Sequence, residues 1–344
     1  MKEFIPISKA HKTPKRSLTN RKPLILLSKD SSNAMMGDVV IAMLPLLVMA
    51  CYFYGTRPLM VALWSVAACK LADSVCCLIA RHKLMLGDLS PMVTGLVIAM
   101  LLPASVPYYI PVAAGLFAIL VVKQPFGGTG NNLFNPAAAG FAFAAVCWPQ
   151  TIFRYPQPME RMEAAGPVTV RLLEGSAYTL KLGGIPSIDW QELLLGNFAG
   201  PMGATHILVM ATCLIFLLAR KTADWRIPLG FISVAAVFSF FFARIPTSPL
   251  NSIYFELFSG SVIFTAIYMV TDPVTAPKTG WGRFVYGGLA GLLTMLFRYY
   301  GGFEQGGMFA VLVCNALSFS LDRCFISAKE SVRRVYGELV NAKK

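Results

Sequence analysis

The second half of this 344-residue chain repeats the punctuation of its first half at a nearly fixed offset, and each half holds an odd number of apolar runs. Pro58 recurs as Pro228, Ser65–Ala68 as Ser233–Ala236, and Pro103 with Pro107 as Pro273 with Pro277, at shifts of 170, 168 and 170. Lys123, Gly127–Gly128 and Phe134 are echoed by Arg298, Gly301–Gly302 and Phe309 at a shift of about 175. Two copies with an odd number of spans must sit upside down relative to each other in a bilayer. Such repeats place their functional site where the halves meet, and broken helices line it.

Composition decides for a membrane. The chain is 56% hydrophobic and only 14% charged, with a mean hydropathy of +0.61, whereas roughly a quarter of an average soluble domain is charged. The net charge of +13 does not point to nucleic acid, because the basic residues sit in tails and short loops between apolar runs, the pattern of the positive-inside bias. Ten spans are expected, near 39–55, 58–80, 89–103, 106–123, 134–149, 206–220, 227–243, 253–271, 284–298 and 307–322. Several fall short of the ~20 residues a spanning helix needs, so tilted, re-entrant or broken helices are expected among them. With the N-terminus in the cytoplasm, 22 of the 30 Lys and Arg lie inside and seven outside; the opposite orientation inverts that ratio.

The predicted fold is therefore an all-α polytopic membrane protein, about ten transmembrane helices in a five-plus-five inverted repeat. A basic cytoplasmic arm spans 1–34, the first repeat 35–149, an extracytoplasmic loop 150–205, the second repeat 206–322, and a cytoplasmic tail 323–344. The arm is too polar for a signal peptide. The 150–205 loop is the one long polar insertion, and insertions beyond about fifteen residues usually carry function or are disordered.

Cys51, Cys69, Cys76, Cys77, Cys147, Cys213, Cys314 and Cys324 lack the spacing of a cluster or zinc site and read as small packing residues. His11, His82 and His206 suggest no metal centre. Ionisable groups at or within spans are Asp38, Lys70, Asp73, Glu256 and Asp272. Lys70 and Asp73 share a helix face and can pair. Asp272 suits a loop-fixing role, and Glu256 is the better candidate for a cation path. Asn135-Pro136 before Ala137–Gly140 has the form of a capped helix start with a proline at its first position.

Three stretches carry a resemblance. Lys123-Gln124-Pro125-Phe126-Gly127-Gly128-Thr129-Gly130-Asn131-Asn132-Leu133-Phe134-Asn135-Pro136-Ala137, Leu195–Gly203, and Thr271–Pro277 followed by Gly282-Arg283 resemble the D subunit of the Rnf electron-transport complex, a family similar to the B subunit of the Na+-translocating NADH:quinone oxidoreductase. The resemblance implies a ten-helix subunit of a bacterial inner-membrane translocase. It further implies FMN joined through its phosphate to a threonine in the loop between the fifth and sixth helices, with other Rnf subunits, including an extracytoplasmic flavoprotein, as partners beside the lipid bilayer. Apart from the resemblance, the helix start at Asn135-Pro136 offers free backbone amides that favour an anion such as a flavin phosphate, so a second, noncovalent flavin near the 127–136 loop is a further expectation.

The family's acceptor motif is Ser-Gly-Ala-Thr or a close variant, and this chain has Gly175-Ser176-Ala177-Tyr178-Thr179-Leu180. Aligned on Ala177 and Leu180, the acceptor position holds Tyr178. Aligned on Ser176, the acceptor is Thr179. Thr205, in Gly203-Ala204-Thr205, is a third candidate, and a flavin-free scaffold subunit is an open alternative. So is a channel or transporter, because ammonium and urea channels use a similar five-plus-five repeat.

Overall fold

A computed structural model describes the backbone of residues 29–81 and 87–342; most of the N-terminal arm and His82 lie outside it. The first apolar half forms α1 (Lys29–Tyr54), α2 (Arg57–Arg81), α3 (Ser90–Leu101), α4 (Tyr109–Phe117), which runs on as a π-helical turn at Ala118–Lys123, and α5 (Pro136–Cys147). The polar insertion holds α6 (Pro149–Ile152), β1 (Arg154–Pro156), β2 (Leu172–Glu174), α7 (Ser176–Lys181) and α8 (Trp190–Leu195), with β1 and β2 paired antiparallel. The second half forms α9 (Ile207–Ala219), α10 (Arg226–Phe241), α11 (Pro249–Phe258), α12 (Val262–Phe264) with a π-helical continuation at Thr265–Met269, α13 (Gly280–Tyr300) and α14 (Gly307–Ala342).

Among the described residues three helical stretches are long and apolar enough to cross a bilayer: Ser32–Tyr54, Arg57–Ala80 and Gly307–Ser327. The pair Pro249–Phe258 and Val262–Met269, bent by 65°, makes a fourth if counted as one span. Shorter apolar helices fill the rest of the bundle. Large apolar side chains such as Ile41, Val48, Leu71, Ile79, Ile215 and Phe241 are exposed, as lipid-facing residues must be. Helix α14 continues to Ala342, well into the segment the sequence reads as a tail.

Close helix contact in the second half depends on missing side chains. A Cβ on Gly287 would lie 2.2 Å from the Ile227 carbonyl oxygen, one on Gly291 2.4 Å from that of Phe231, and one on Gly230 2.4 Å from that of Phe284. Helices α10 and α13 thus touch backbone to backbone, the association that small residues four apart permit inside a membrane.

Proline segments interrupt both halves, and at each the non-helical chain is held by hydrogen bonds, as buried non-helical backbone must be. After α3, the chain leaves the helix at Leu102–Pro107; Met202 N donates to Leu102 O at 3.1 Å and Gly203 N to Met100 O at 2.9 Å. A Cβ on Gly203 would lie 2.5 Å from Met100 Cβ, so only glycine lets this strand of chain approach. In the second half the sharp bend falls at Ser259–Ser261, ahead of the Pro273–Pro277 segment that the repeat singles out. That later segment is a loop ordered by Asp272, whose carboxylate accepts from Val274 N and Thr275 Oγ1, both at 3.1 Å.

The polar insertion is folded against one end of the bundle and grips turns from both halves. Met162 N donates to Tyr54 O at 2.8 Å, Arg57 Nη1 to Gly166 O at 3.1 Å, and Tyr108 Oη to Ala164 O. On the other half, Lys181 Nζ donates to Gly302 O, and Tyr155 Oη donates to Glu304 Oε1 at 2.5 Å.

Candidate functional site

Two buried charge clusters stand at opposite ends. In the first, Lys123, with no exposed surface, lies 3.0 Å from Asp73 Oδ1 and 3.5 Å from Asp88 Oδ2. Thr129 Oγ1 donates to Asp88 Oδ2 at 2.5 Å and Gln124 Nε2 to Asp73 Oδ1 at 2.7 Å. The Lys-Gln-Pro-Phe-Gly-Gly-Thr stretch therefore clasps α2 and the start of α3. Burial works to raise the Asp88 carboxyl, but Lys123, Thr129 and the Ser90 amide outweigh it and hold the group below its ordinary value. Asp73 pairs with Lys123 and not with Lys70, which donates to Asp88 O at 2.5 Å; the loop cation reaches further into the helix layer than spacing along α2 indicates.

In the second cluster, Glu256 is fully buried between Arg244, 2.6 Å away, and Arg298, 3.4 Å away. Arg298 also donates to Glu256 O at 2.7 Å, Ser259 O at 3.3 Å and Ser259 Oγ at 2.9 Å. Its planar fork replaces the helix hydrogen bonds lost where α11 ends. Both carboxylate oxygens of Glu256 are taken by guanidinium groups, so the geometry here is a structural clamp at the bend and not the cation path expected of this residue. Along the chain the members of the two clusters are spaced by steps close to the sequence offset: Asp73 and Arg244 are 171 apart, Asp88 and Glu256 168, Lys123 and Arg298 175.

Where the halves meet, Asn135 does two jobs. Its Oδ1 accepts from Ala137 N at 3.0 Å and Ala138 N at 3.2 Å, the expected cap, while its Nδ2 donates across to Met269 O at 3.0 Å. A cavity of about 60 Å³ adjoins it, lined by both sequence motifs through Asn132, Asn135, Thr271 and Asp272, with the Asn132 Oδ1 buried and unpartnered. That space holds a few water molecules and does not fit a tricyclic ring.

The acceptor candidates lie in contrasting surroundings. Thr179 is half-buried in α7, with its methyl group against Gly184. Tyr178 beside it is also half-buried. Ser176 is buried, and its hydroxyl has no partner. Thr205 is fully buried, its hydroxyl unpartnered and its methyl group packed under Gly200. Just beneath α7, a Cβ on Gly175 would lie 3.3 Å from both carboxylate oxygens of Glu304. Glu304 is buried, its Oε2 makes no hydrogen bond, and Gln305 Nε2 donates to Tyr155 Oη at 2.7 Å. Burial pushes the Glu304 carboxyl up to about 7, against the opposing pull of Tyr155 and Arg298. Tyr155, Glu304, Gln305 and Arg244 had no place in the sequence reading. The traces of these groups in the sequence were Glu256, read as a cation-path candidate, and Arg298 as the echo of Lys123.

Residues 19–330 match the model of the NQR2, RnfD, RnfE family. The chain belongs to this family. It is 30% identical to the D subunit of the Na(+)-translocating ferredoxin:NAD(+) oxidoreductase complex of Acetobacterium woodii, over 90% of this chain and 92% of the relative. The D subunit of the proton-translocating ferredoxin:NAD(+) oxidoreductase complex of Clostridium ljungdahlii is 26% identical over 89% and 93%. The corresponding D subunit of the ion-translocating oxidoreductase complex of Shewanella amazonensis is 30% identical over 86% and 92%. The NQR2, RnfD, RnfE match takes in both charge clusters, the Asn135 junction and the whole polar insertion.

Proposed function

We propose that this chain works as the D subunit of an Rnf-type complex in the bacterial inner membrane, with FMN carried on Thr179 at the extracytoplasmic face. That it is a membrane subunit of an ion-translocating electron-transport complex follows from relatives that align over about nine-tenths of both chains. The coupling ion differs between those two relatives, Na+ in one and the proton in the other. The five-plus-five inverted repeat is supported by the matching charge clusters at opposite ends. The excess of Lys and Arg at the end away from the polar insertion supports both termini in the cytoplasm.

The observation that carries the flavin assignment is the contrast between Thr179 and Thr205. An attaching enzyme needs a reachable hydroxyl; Thr179 is only half-buried, on the short helix α7, and Thr205 has no exposed surface. FMN supplies one- and two-electron redox chemistry when bound, and a phosphoester leaves its ring electronics untouched. Ser176 and Thr179 would hold the phosphate end. Glu304, under Gly175 at the start of α7, has its carboxyl pushed up to about 7 by burial, so it can gain or lose a proton near neutral pH. An extracytoplasmic flavoprotein subunit is the electron partner this arrangement suits.

The test is in-gel flavin fluorescence and intact mass of the chain made in cells that supply FMN and the attaching enzyme. Thr179→Ala should abolish the fluorescence and the FMN mass increment, with Thr205→Ala keeping both. Flavin retained in the first variant and lost in the second would move the site. An unmodified parent chain would remove covalent FMN from the assignment.

A further inference from the structure

At the end of the bundle opposite the polar insertion, an open pocket of about 670 Å³ lies between the α9–α10 turn and the start of α13. Its wall carries Lys221, Arg226 and Arg283 with a single acid, Asp224. Asp224 is already committed: it accepts from Arg283 Nη1 at 2.6 Å and from the backbone N of Arg226 at 3.0 Å. Those two contacts outweigh partial burial and hold its carboxyl below the ordinary value, so it stays ionised and paired. Lys221 and Arg226 form no ion pair or hydrogen bond through their side chains among the described residues, and both are exposed. The pocket therefore has two uncompensated positive charges.

The backbone shows that Lys221 is held there at a cost. Lys221 N bonds back to Leu218 O and Thr222 N to Leu217 O, closing α9 with Lys221 at φ 57°. This is the left-handed end position that glycine occupies without strain. A lysine there is disfavoured, because its Cβ crowds the following carbonyl in that region. Two exposed tryptophans are close in the chain to this pocket: Trp225, 55% exposed, in its wall, and Trp281, 74% exposed, next to Gly280, whose Cβ position is 2.1 Å from Arg226 Nη1. Exposed tryptophans on a membrane protein mark the headgroup level. Cationic pockets between helices at that depth recognise anionic headgroups.

We propose that the Lys221–Arg226–Arg283 pocket binds the phosphate headgroup of an anionic phospholipid. A phosphodiester oxygen pair suits the guanidinium of Arg226, and Lys221 supplies a point charge. The bound species does not depend on which leaflet the pocket faces, so the proposal stands apart from the orientation and flavin readings above.

The experiment is native mass spectrometry of the full chain released from nanodiscs of phosphatidylcholine alone or with phosphatidylglycerol, beside a titration of thermal stability with each lipid. Lys221→Gly removes the charge at a position where glycine relieves strain, so its folding is not at risk; Arg226→Gln removes the other. The parent chain should retain a phosphatidylglycerol adduct and be stabilised by that lipid and not by phosphatidylcholine. The double variant should bind it roughly 30-fold more weakly, with two cations each acting near the surface. Equal retention in parent and variant would overturn the proposal. So would equal stabilisation by inorganic phosphate at the same concentration, which would make this a free-anion site. An adduct found on the lone chain but absent from the assembled complex would also overturn it, giving the pocket to an acidic partner segment.

Discussion

Replacing Glu304 with Gln tests whether the carboxyl under the Gly175 turn is held as an acid. In the folded chain burial lifts it from 4.5 to about 7. The folded state thus binds more protons than the unfolded state between those values. Stability is greatest below 4.5, falls as pH rises through the window, and loses its full share above 7. A gap of about 2.5 units corresponds to about 3 kcal/mol, at ~1.36 kcal/mol per unit. Glutamine keeps the shape and the acceptor for Tyr155 and cannot titrate. Thermal unfolding of parent and variant in one detergent, measured from pH 4.5 to 8, should show the two midpoints diverging by a few degrees, the parent losing ground as pH rises. Parallel curves across the range would refute a protonated Glu304. A parent that gains on the variant as pH rises would reverse the sign and point to an ionised carboxylate serving Arg298.

Gly287→Ala should destabilise the second half by about 1–3 kcal/mol or more through overpacking against the Ile227 carbonyl, read as a lower denaturation midpoint. Arg298→Met should cost about 3–5 kcal/mol, because Glu256 loses one partner and two carbonyls at the α11 bend lose their donor; a neutral result would mean water replaces the guanidinium. A reporter active only outside the cytoplasm should work when inserted within residues 155–195 and fail after Lys344, and the reverse pattern would invert the orientation.

The apolar runs and the capped start at Asn135 were legible because they rest on local rules: span length, a side chain that reaches the next two amides, a proline at the first position. Asp272 was legible for the same reason, since its partners are two and three residues away. The bend at Ser259–Ser261 was not. Its backbone groups are satisfied by Arg298, 39 residues on, and no local pattern records that. Glu256 misled for the same reason: an acid in an apolar run looks available for an ion until Arg244, from the loop after α10, and Arg298, from α13, fill both its oxygens. Glu304 and Tyr155 lie 149 residues apart, and only the folded insertion brings them together beneath Ser176 and Thr179. Asp88 and Glu256 also lie 168 residues apart, close to the offset read between the halves, a spacing that stands out only once their partners are known.

The polar insertion is a strap as well as a platform. It is tied to Tyr54 and Arg57 on one half and to Gly302 and Glu304 on the other, so separating the halves at that end breaks several buried contacts together. Away from the strap, the direct ties between halves among the described residues include Asn135 to Met269, Asp38 to Arg220 and Thr222, and Tyr268 to Ala42. Any rocking of one half against the other that keeps the strap whole must break these bonds. The small cavity beside Asn135 then sits at the mouth that such a movement opens, so cross-links across the strap should leave rocking intact while a cross-link between Asn135 and its facing loop should stop it.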